Sequence, residues 1–191
     1  SAAGLAAVSA AAWSAAGLDI GELGSIADCA RLGSGSASRS IHGGFVAWEP
    51  TAQGSTVRAI APATHWPLEL CLVRLSAEAK KVPSREGMKQ AQETSPMWDA
   101  WVSKAKEDAA TIEQAVVEKN FEMLAETAEA NCLLMHATTI TARPPVYYLK
   151  PESWKVIRTV EELRSNGLPC FFTADAGPNI KVFTLPGRGT D

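Results

Sequence analysis

Residues 33–45 read GSGSASRSIHGGF, with four Gly and four Ser around a single Arg. Glycine lets a backbone approach a ligand closely, and serine supplies short hydroxyl donors and acceptors. Main-chain N–H groups of such a segment can cradle an anion. Arg39 adds a planar fork matched to a carboxylate or a phosphate. Composition alone equally allows a glycine-rich turn with a solvated Arg39. A second candidate is ADAGPN at 174–179. Asp175 ends an apolar run just before a Gly-Pro turn, where a carboxylate could serve as a general base. The plainer reading is an Asx-turn residue. Third, KKVPSREGM at 80–88 gathers Lys80, Lys81, Ser84 and Arg85. These side chains could grip a diphosphate, although a charge run of this kind is usually a solvated loop. His136, late in an apolar run, reads as a packed residue rather than a catalyst.

The elements that must position these residues follow from periodicity and breakers. The Ala-rich residues 1–17 predict a helix ended by Gly17. Asp19 is placed to cap a second helix over 20–31, closed by Gly33. The small-residue segment comes next. IHGGFVAW and STVRAIA then read as two strands joined by a turn around Pro50 to Gly54. LELCLVRL, 68–75, is apolar enough for a well-covered strand. AEAKKVPSREGM is polar and reads as a loop. Residues 97–118 show helical spacing, Asn120 interrupts it, and Phe121 to Met135 continue as a second amphipathic helix. Pro144-Pro145 stops the helical region, and PVYYL is a short extended segment, read as a strand. A helix over 152–166 ends at Gly167. PCFFTADAG and NIKVFTL flank an Asp-Ala-Gly-Pro-Asn turn as strands. This order predicts an α+β sandwich with helices on one face of a largely antiparallel sheet.

Composition narrows the function classes. Apolar residues are 46% and charged residues 20% of the 191, ordinary for a globular protein. The formal charge of −3 provides no basic field for nucleic acid and no polybasic membrane patch. The four cysteines, Cys29, Cys71, Cys132 and Cys170, are widely spaced and sit in apolar contexts. They predict buried thiols and a reducing, cytoplasmic compartment. Three scattered histidines argue against a zinc or iron site. Residues 1–18 carry no charge, but are too rich in Ala, Ser and Gly for a membrane span and lack a basic leader. They predict a helix buried inside a protein. The start without Met predicts that the chain is the later part of a longer protein.

Taken in order, SAAGLAAV, GSGSASRSIHGGFVAWE, KKVPSREGM, MHATTITARPPVYYL and FFTADAGPN resemble mevalonate diphosphate decarboxylase over nearly the whole chain. The GSGSA-x-RS-x-x-GG and DAGPN segments are the specific parts. That family belongs to the galactokinase, homoserine kinase, mevalonate kinase and phosphomevalonate kinase (GHMP) superfamily. The resemblance implies a two-domain fold. Residues 1–64 would be the remnant of the N-terminal nucleotide-binding domain, and 65–191 the C-terminal α/β sandwich with a largely antiparallel sheet. In this family a loop of the form PTAAGLASSAAG enters the first helix. SAAGLAAV matches its tail, so Ser1 stands for the second of the paired serines. A second register would put Ala7 and Val8 where the serines belong, but the first continues the match further.

The resemblance implies an ATP-dependent lyase of isoprenoid biosynthesis, acting in the mevalonate pathway. Such enzymes phosphorylate the 3-hydroxyl of mevalonate 5-diphosphate. Loss of that phosphate then drives decarboxylation to isopentenyl diphosphate. By resemblance, Asp175 is the base or orients the hydroxyl, and Arg39 holds the substrate carboxylate and positions Asp175. Ser34 and Ser36 hold the diphosphate. Ser84 and Lys80 lie on the loop closing over substrate and nucleotide, and Ser1 touches ATP phosphate. Mg²⁺ bridges the ATP phosphates, with no protein metal ligand assigned. Arg39 and Asp175, 136 positions apart, are expected to face each other across one cleft. A homodimer is the family's common state. Ser38 stands where relatives often carry Cys, and Pro83 where some carry a second Ser. These departures leave a phosphomevalonate decarboxylase or a mevalonate 3-kinase as alternatives, and the phosphate loop expected before Ser1 leaves an inactive relative acting as a binding domain as another.

Overall fold

A computed structural model of the protein describes residues 2–52, 54–76 and 80–189. The chain divides into two compact units, Ser1–Trp66 and Pro67–Asp191.

The first unit opens with α1 (Ala2–Ala15), α2 (Leu23–Gly33) and the five-residue α3 (Gly35–Arg39). Gly17 adopts φ +72°, and the Gly17 and Leu18 amides bond back to Ser14 and Trp13. This left-handed stop is what the glycine permits. Asp19 does not cap α2. Its carboxylate accepts from the Gly21 amide at 2.8 Å, an Asx turn before the helix, and Glu22 occupies the N-cap. Nor is α1 buried as expected, since Ala6 is its one buried residue. Helices α2 and α3 pack on one side of it, and its other side of small residues presents little apolar area to cover. Strands β1 (Phe45–Thr51) and β2 (Gly54–Ala61) form an antiparallel pair. Pro50 lies within β1 opposite Ser55, not in the turn, as an edge position tolerates.

The second unit is a three-stranded antiparallel sheet covered by helices. Its strands are β3 (Glu69–Val73), β4 (Cys170–Thr173) and β5 (Ile180–Thr184), in the order β3-β5-β4. The helices are α4 (Ser84–Thr94), α5 (Trp98–Glu118), α6 (Phe121–Ile140) and α7 (Pro151–Ser165). Side chains alternate across the sheet. Cys170, Phe172 and Ile180 face the core with Ile157 and Val160 of α7 and Cys132 of α6. The fold class is α+β, as the sequence predicted. Two helices are not expected from the sequence: the short α3, read as a glycine-rich segment, and α4, read as loop. The strong polarity of α4 hides a helix that buries only Gly87 and Ala91. PVYYL is extended but pairs with no described strand.

Strand β3 is less covered than LELCLVRL implied. Leu70 and Leu72 are 55% and 58% exposed. They lie at the sheet edge, on the face where Phe171 stacks on Phe183 at 5.1 Å and meets Phe121 of α6 edge-on at 5.4 Å. That aromatic cover reaches β4 and β5 and stops short of β3. Cys71 is exposed for the same reason of position, and Cys29 also lies open, whereas Cys132 and Cys170 are buried. The outer edge of β4 is closed by α6. Glu129 accepts the Phe172 amide at 3.1 Å and a bidentate pair from Arg164 at 2.9 and 3.0 Å. The Arg164 guanidinium is held further above its usual range by that carboxylate.

Candidate active site

Two groups of predicted residues occupy the two units. In the second unit the Asp175–Asn179 turn joins β4 to β5 and is fastened on several sides. Asn179 mimics a backbone group: its Oδ1 accepts from Leu75 and Ser76 amides at 2.9 and 3.1 Å. Ser153 at the start of α7 donates to the Pro178 carbonyl at 2.7 Å. Behind the turn, the Ala174 amide donates to Cys132 Sγ at 3.1 Å. Burial raises the Cys132 thiol, which keeps it protonated. His136, one helical turn on, is 2% exposed, and burial pushes it down to about 4, against a hydrogen bond with the Ala174 backbone and the charge of Asp175. It is therefore a neutral packed imidazole, as its position in an apolar run predicts.

With its backbone fixed, Asp175 presents its carboxylate outward, 82% exposed, and Lys181 Nζ lies 2.5 Å from Oδ2. Lys181 was not singled out from the sequence. A lone cation in the apolar strand NIKVFTL is the signal that could have found it. Hairpin geometry explains the pairing, because Lys181 sits opposite Thr173, two residues before Asp175 on the same face.

The Lys80–Ser84 segment packs directly on this turn. Lys80 Nζ donates to Ser84 Oγ at 2.9 Å, and Ser84 Oγ donates to the Ala176 carbonyl at 3.4 Å. A Cβ on Gly177 would stand 3.2 Å from Lys80 Cε. Ser84 is the first residue of α4 rather than a loop residue. Tyr148 fixes that helix: its hydroxyl donates to the Pro83 carbonyl at 3.3 Å, and its ring lies 6.5 Å from that of His136. Val146, Tyr148 and Ala176 form a small buried cluster with Val82 against it. Thus the structure brings Asp175, Lys80 and Ser84 together, through a lattice that includes His136 and Tyr148. Beside them opens a cleft of about 430 Å³ whose lining includes Lys80, Lys81, Lys150, Tyr147 and Ser76. Among the described residues its lining holds three cations and no carboxylate, an electrostatic environment suited to phosphate oxygens.

In the first unit the segment GSGSASR is the α2–α3 junction. Ser34 is extended, with φ −157° and ψ 128°, and its Oγ lies 3.0 Å from Ser36 Oγ. Both hydroxyls are half-buried and adjacent. Ser38 is buried and donates to the Gly35 carbonyl at 2.7 Å, an internal brace for the short helix. Arg39, at the end of α3, places its guanidinium 5.0 Å from the centre of the Trp48 ring. Ser1 lies outside the described residues. Among the described residues no group of three or more His, Cys, Asp or Glu side chains could hold a metal ion. No described helix is long and apolar enough to cross a membrane.

Both units match known proteins. Residues 70–189 match the family model described as Mevalonate 5-diphosphate decarboxylase C-terminal domain. Residues 1–59 match the one described as Diphosphomevalonate decarboxylase-like N-terminal domain. A diphosphomevalonate decarboxylase of Candida albicans is 36% identical over 171 residues, covering 86% of this chain and 46% of the relative. A solved mevalonate diphosphate decarboxylase from Enterococcus faecalis superposes with a TM-score of 0.84 at 35% identity, over 97% of this chain and 56% of that one. A further solved chain, in complex with MVAPP, AMPPCP and magnesium, gives a TM-score of 0.85 at 37% identity, over 96% of this chain and 57% of that one. The chain spans about half the length of the curated relatives it matches. On the matched domains and the shared fold, the chain belongs to the mevalonate 5-diphosphate decarboxylase family.

Proposed function

We propose that the protein containing this chain decarboxylates mevalonate 5-diphosphate to isopentenyl diphosphate at the expense of ATP. The observation that carries this reading is the Asp175 turn. Its backbone is fastened by Asn179, Ser153 and Cys132, its carboxylate stays outward beside Lys181, and the Lys80–Ser84 pair binds the turn at the Ala176 carbonyl. A rigid turn bearing an accessible carboxylate, with a cation-lined cleft beside the turn, suits a base acting on a phosphorylated substrate. Family membership supports the choice of reaction.

In this reading Asp175 accepts the proton of the tertiary 3-hydroxyl as that oxygen attacks the γ-phosphate. Arg39 holds the substrate carboxylate with its fork, which a Lys cannot reproduce. Ser34 and Ser36 donate to the diphosphate, and Ser84 and Lys80 donate to phosphate oxygens near the base. That Arg39 and Asp175 act on one substrate molecule is part of the proposal. ATP with Mg²⁺ supplies the phosphoryl group and charge neutralisation. The cation-lined cleft fits phosphate groups. With no carboxylate cluster among the described residues, the metal is best carried by the nucleotide. Ser1 is assigned to ATP phosphate by resemblance alone. We assign residues 1–64 to the nucleotide-binding domain and 65–191 to the C-terminal domain. The four cysteines, none in a disulfide, support a cytoplasmic setting. A homodimer follows from family likeness, and light scattering of the full-length protein tests it.

The functional test is turnover by the full-length protein with mevalonate 5-diphosphate, ATP and Mg²⁺, reading CO₂ and ADP together. Equal CO₂ and ADP is expected. Asp175→Ala should lose at least about 10³-fold in kcat with its circular dichroism unchanged. Wild-type turnover in that variant refutes the assignment. ADP without CO₂ assigns a 3-kinase, and preference for the monophosphate assigns a phosphomevalonate decarboxylase.

A further inference from the structure

We propose that Trp48 is the positioning residue for Arg39, holding its fork at the angle that receives a carboxylate. This rests on the reading of Arg39 as the carboxylate-binding group. Three contacts converge on the one indole. The Arg39 guanidinium lies 5.0 Å from the ring centre, within the range of a cation–π contact. The benzo edge of the ring lies over Gly35, where a Cβ would stand 2.6 Å from Cη2 and 3.0 Å from Cζ2. The indole N–H donates to Ser55 Oγ of β2 at 2.8 Å, which fixes the ring's rotation.

Trp48 therefore touches both ends of α3 from a strand that α3 does not belong to. Gly35, between Ser34 and Ser36, is needed because the ring occupies the space of a side chain. Arg39 at the other end rests on the ring face. Among the described residues of this unit, the carboxylates found in ion pairs are Asp28 with Arg31 and Glu49 with Arg58, and none pairs with Arg39. A guanidinium stacked on an aromatic face keeps its in-plane N–H donors available, and the ring removes the rotamer freedom it would otherwise lose on binding. Trp48 is 43% exposed, so its replacement leaves no large cavity in the fold.

The test uses the full-length protein and two readouts. The first is the Arg39 Nε–Hε NMR signal. The ring current should displace it upfield in the wild type, and Trp48→Leu should return it toward the position of the other arginines. The second is the Kd of mevalonate 5-diphosphate by calorimetry. Trp48→Leu should weaken it by about 10-fold and Trp48→Phe, which keeps an aromatic face, by about 2- to 3-fold. Gly35→Ala, which displaces the ring with Trp48 intact, should resemble Trp48→Leu. In an Arg39→Ala background Trp48→Leu should cost less than about 2-fold more, because its effect runs through Arg39. Additive losses, or an Arg39 signal unmoved by Trp48→Leu, overturn the proposal. If Arg39→Ala weakens binding and Trp48→Leu does not, this inference fails alone. If Arg39→Ala leaves binding unchanged, the carboxylate reading itself fails and the proposal with it.

Discussion

Gly87→Ala offers a sharp test of how α4 is held. Gly87 is buried, and a Cβ there would stand 2.0 Å from the Tyr148 hydroxyl oxygen and 3.0 Å from Cζ. That is about 1.5 Å short of ordinary van der Waals contact. Tyr148 cannot simply withdraw, since it is buried and packs with Val146, Ala176 and His136. Helix α4 must therefore move. Ser84 lies one turn upstream of Gly87, so the movement draws its hydroxyl away from Ala176 and Lys80. Alanine itself favours a helix over glycine by about 1 kcal/mol. Overpacking costs about 1–3 kcal/mol. The net expectation is destabilisation by up to about 2 kcal/mol, with a rise in KM at little cost to kcat, because in the proposed reading α4 carries a phosphate donor and not the base. Tyr148→Phe removes the oxygen at 2.0 Å and one hydrogen bond of about 1 kcal/mol. In its presence Gly87→Ala should become neutral or stabilising, a coupling of at least about 1 kcal/mol. Urea denaturation of the four proteins measures this, with substrate kinetics alongside. If Gly87→Ala is as stabilising alone as in the Tyr148→Phe background, Tyr148 does not press on α4 and the reasoning fails.

Two further outcomes bear on the support behind Asp175. Burial pushes His136 down to about 4 in the fold, against 6.5 for an ordinary histidine. The unfolded chain therefore takes up this proton first as pH falls, and the stability contributed by neutral burial is lost between pH 6.5 and 4. The loss attributable to this group is about 3 kcal/mol across that window. Urea titrations at pH 7 and pH 5 should show a smaller pH dependence in His136→Gln than in the wild type; equal dependence would exclude His136 as its source. Thiol titration with a disulfide reagent should find Cys29 and Cys71 reacting quickly in the native protein, and Cys132 and Cys170 only after unfolding. Rapid reaction of all four would contradict the packing of Cys132 against Ala174.

Much of the architecture was legible because local rules and tertiary packing agree. Residues 98–118 and 121–140 are long, periodic and separated by an Asn that caps the second helix through its side chain, so their helices follow from spacing alone. The DAGPN hairpin is equally local: a turn sequence between two short apolar runs. Where the readings failed, a nearer partner or the lack of a covering one decided. Asp19 found the nearer Gly21 amide instead of a helix end. LELCLVRL is mostly apolar, but its place at the sheet edge leaves Leu70 and Leu72 open. Burial depends on what lies opposite, which the strand's own residues do not encode.

The same division runs through the site. Residue type alone determined that Arg39 can fork onto a carboxylate, that Asp175 can take a proton, and that small residues must surround an approaching backbone. Only the folded chain decided which neighbours make those capacities usable. Lys181 meets Asp175 through strand register, Lys80 and Ser84 reach the turn across about ninety residues, and Trp48 lies under Arg39 from a neighbouring strand. One of these contacts joins segments far apart in sequence, and the other two depend on how neighbouring elements register and pack. Their geometry comes from packing around a shared core rather than from the chemistry of any one stretch.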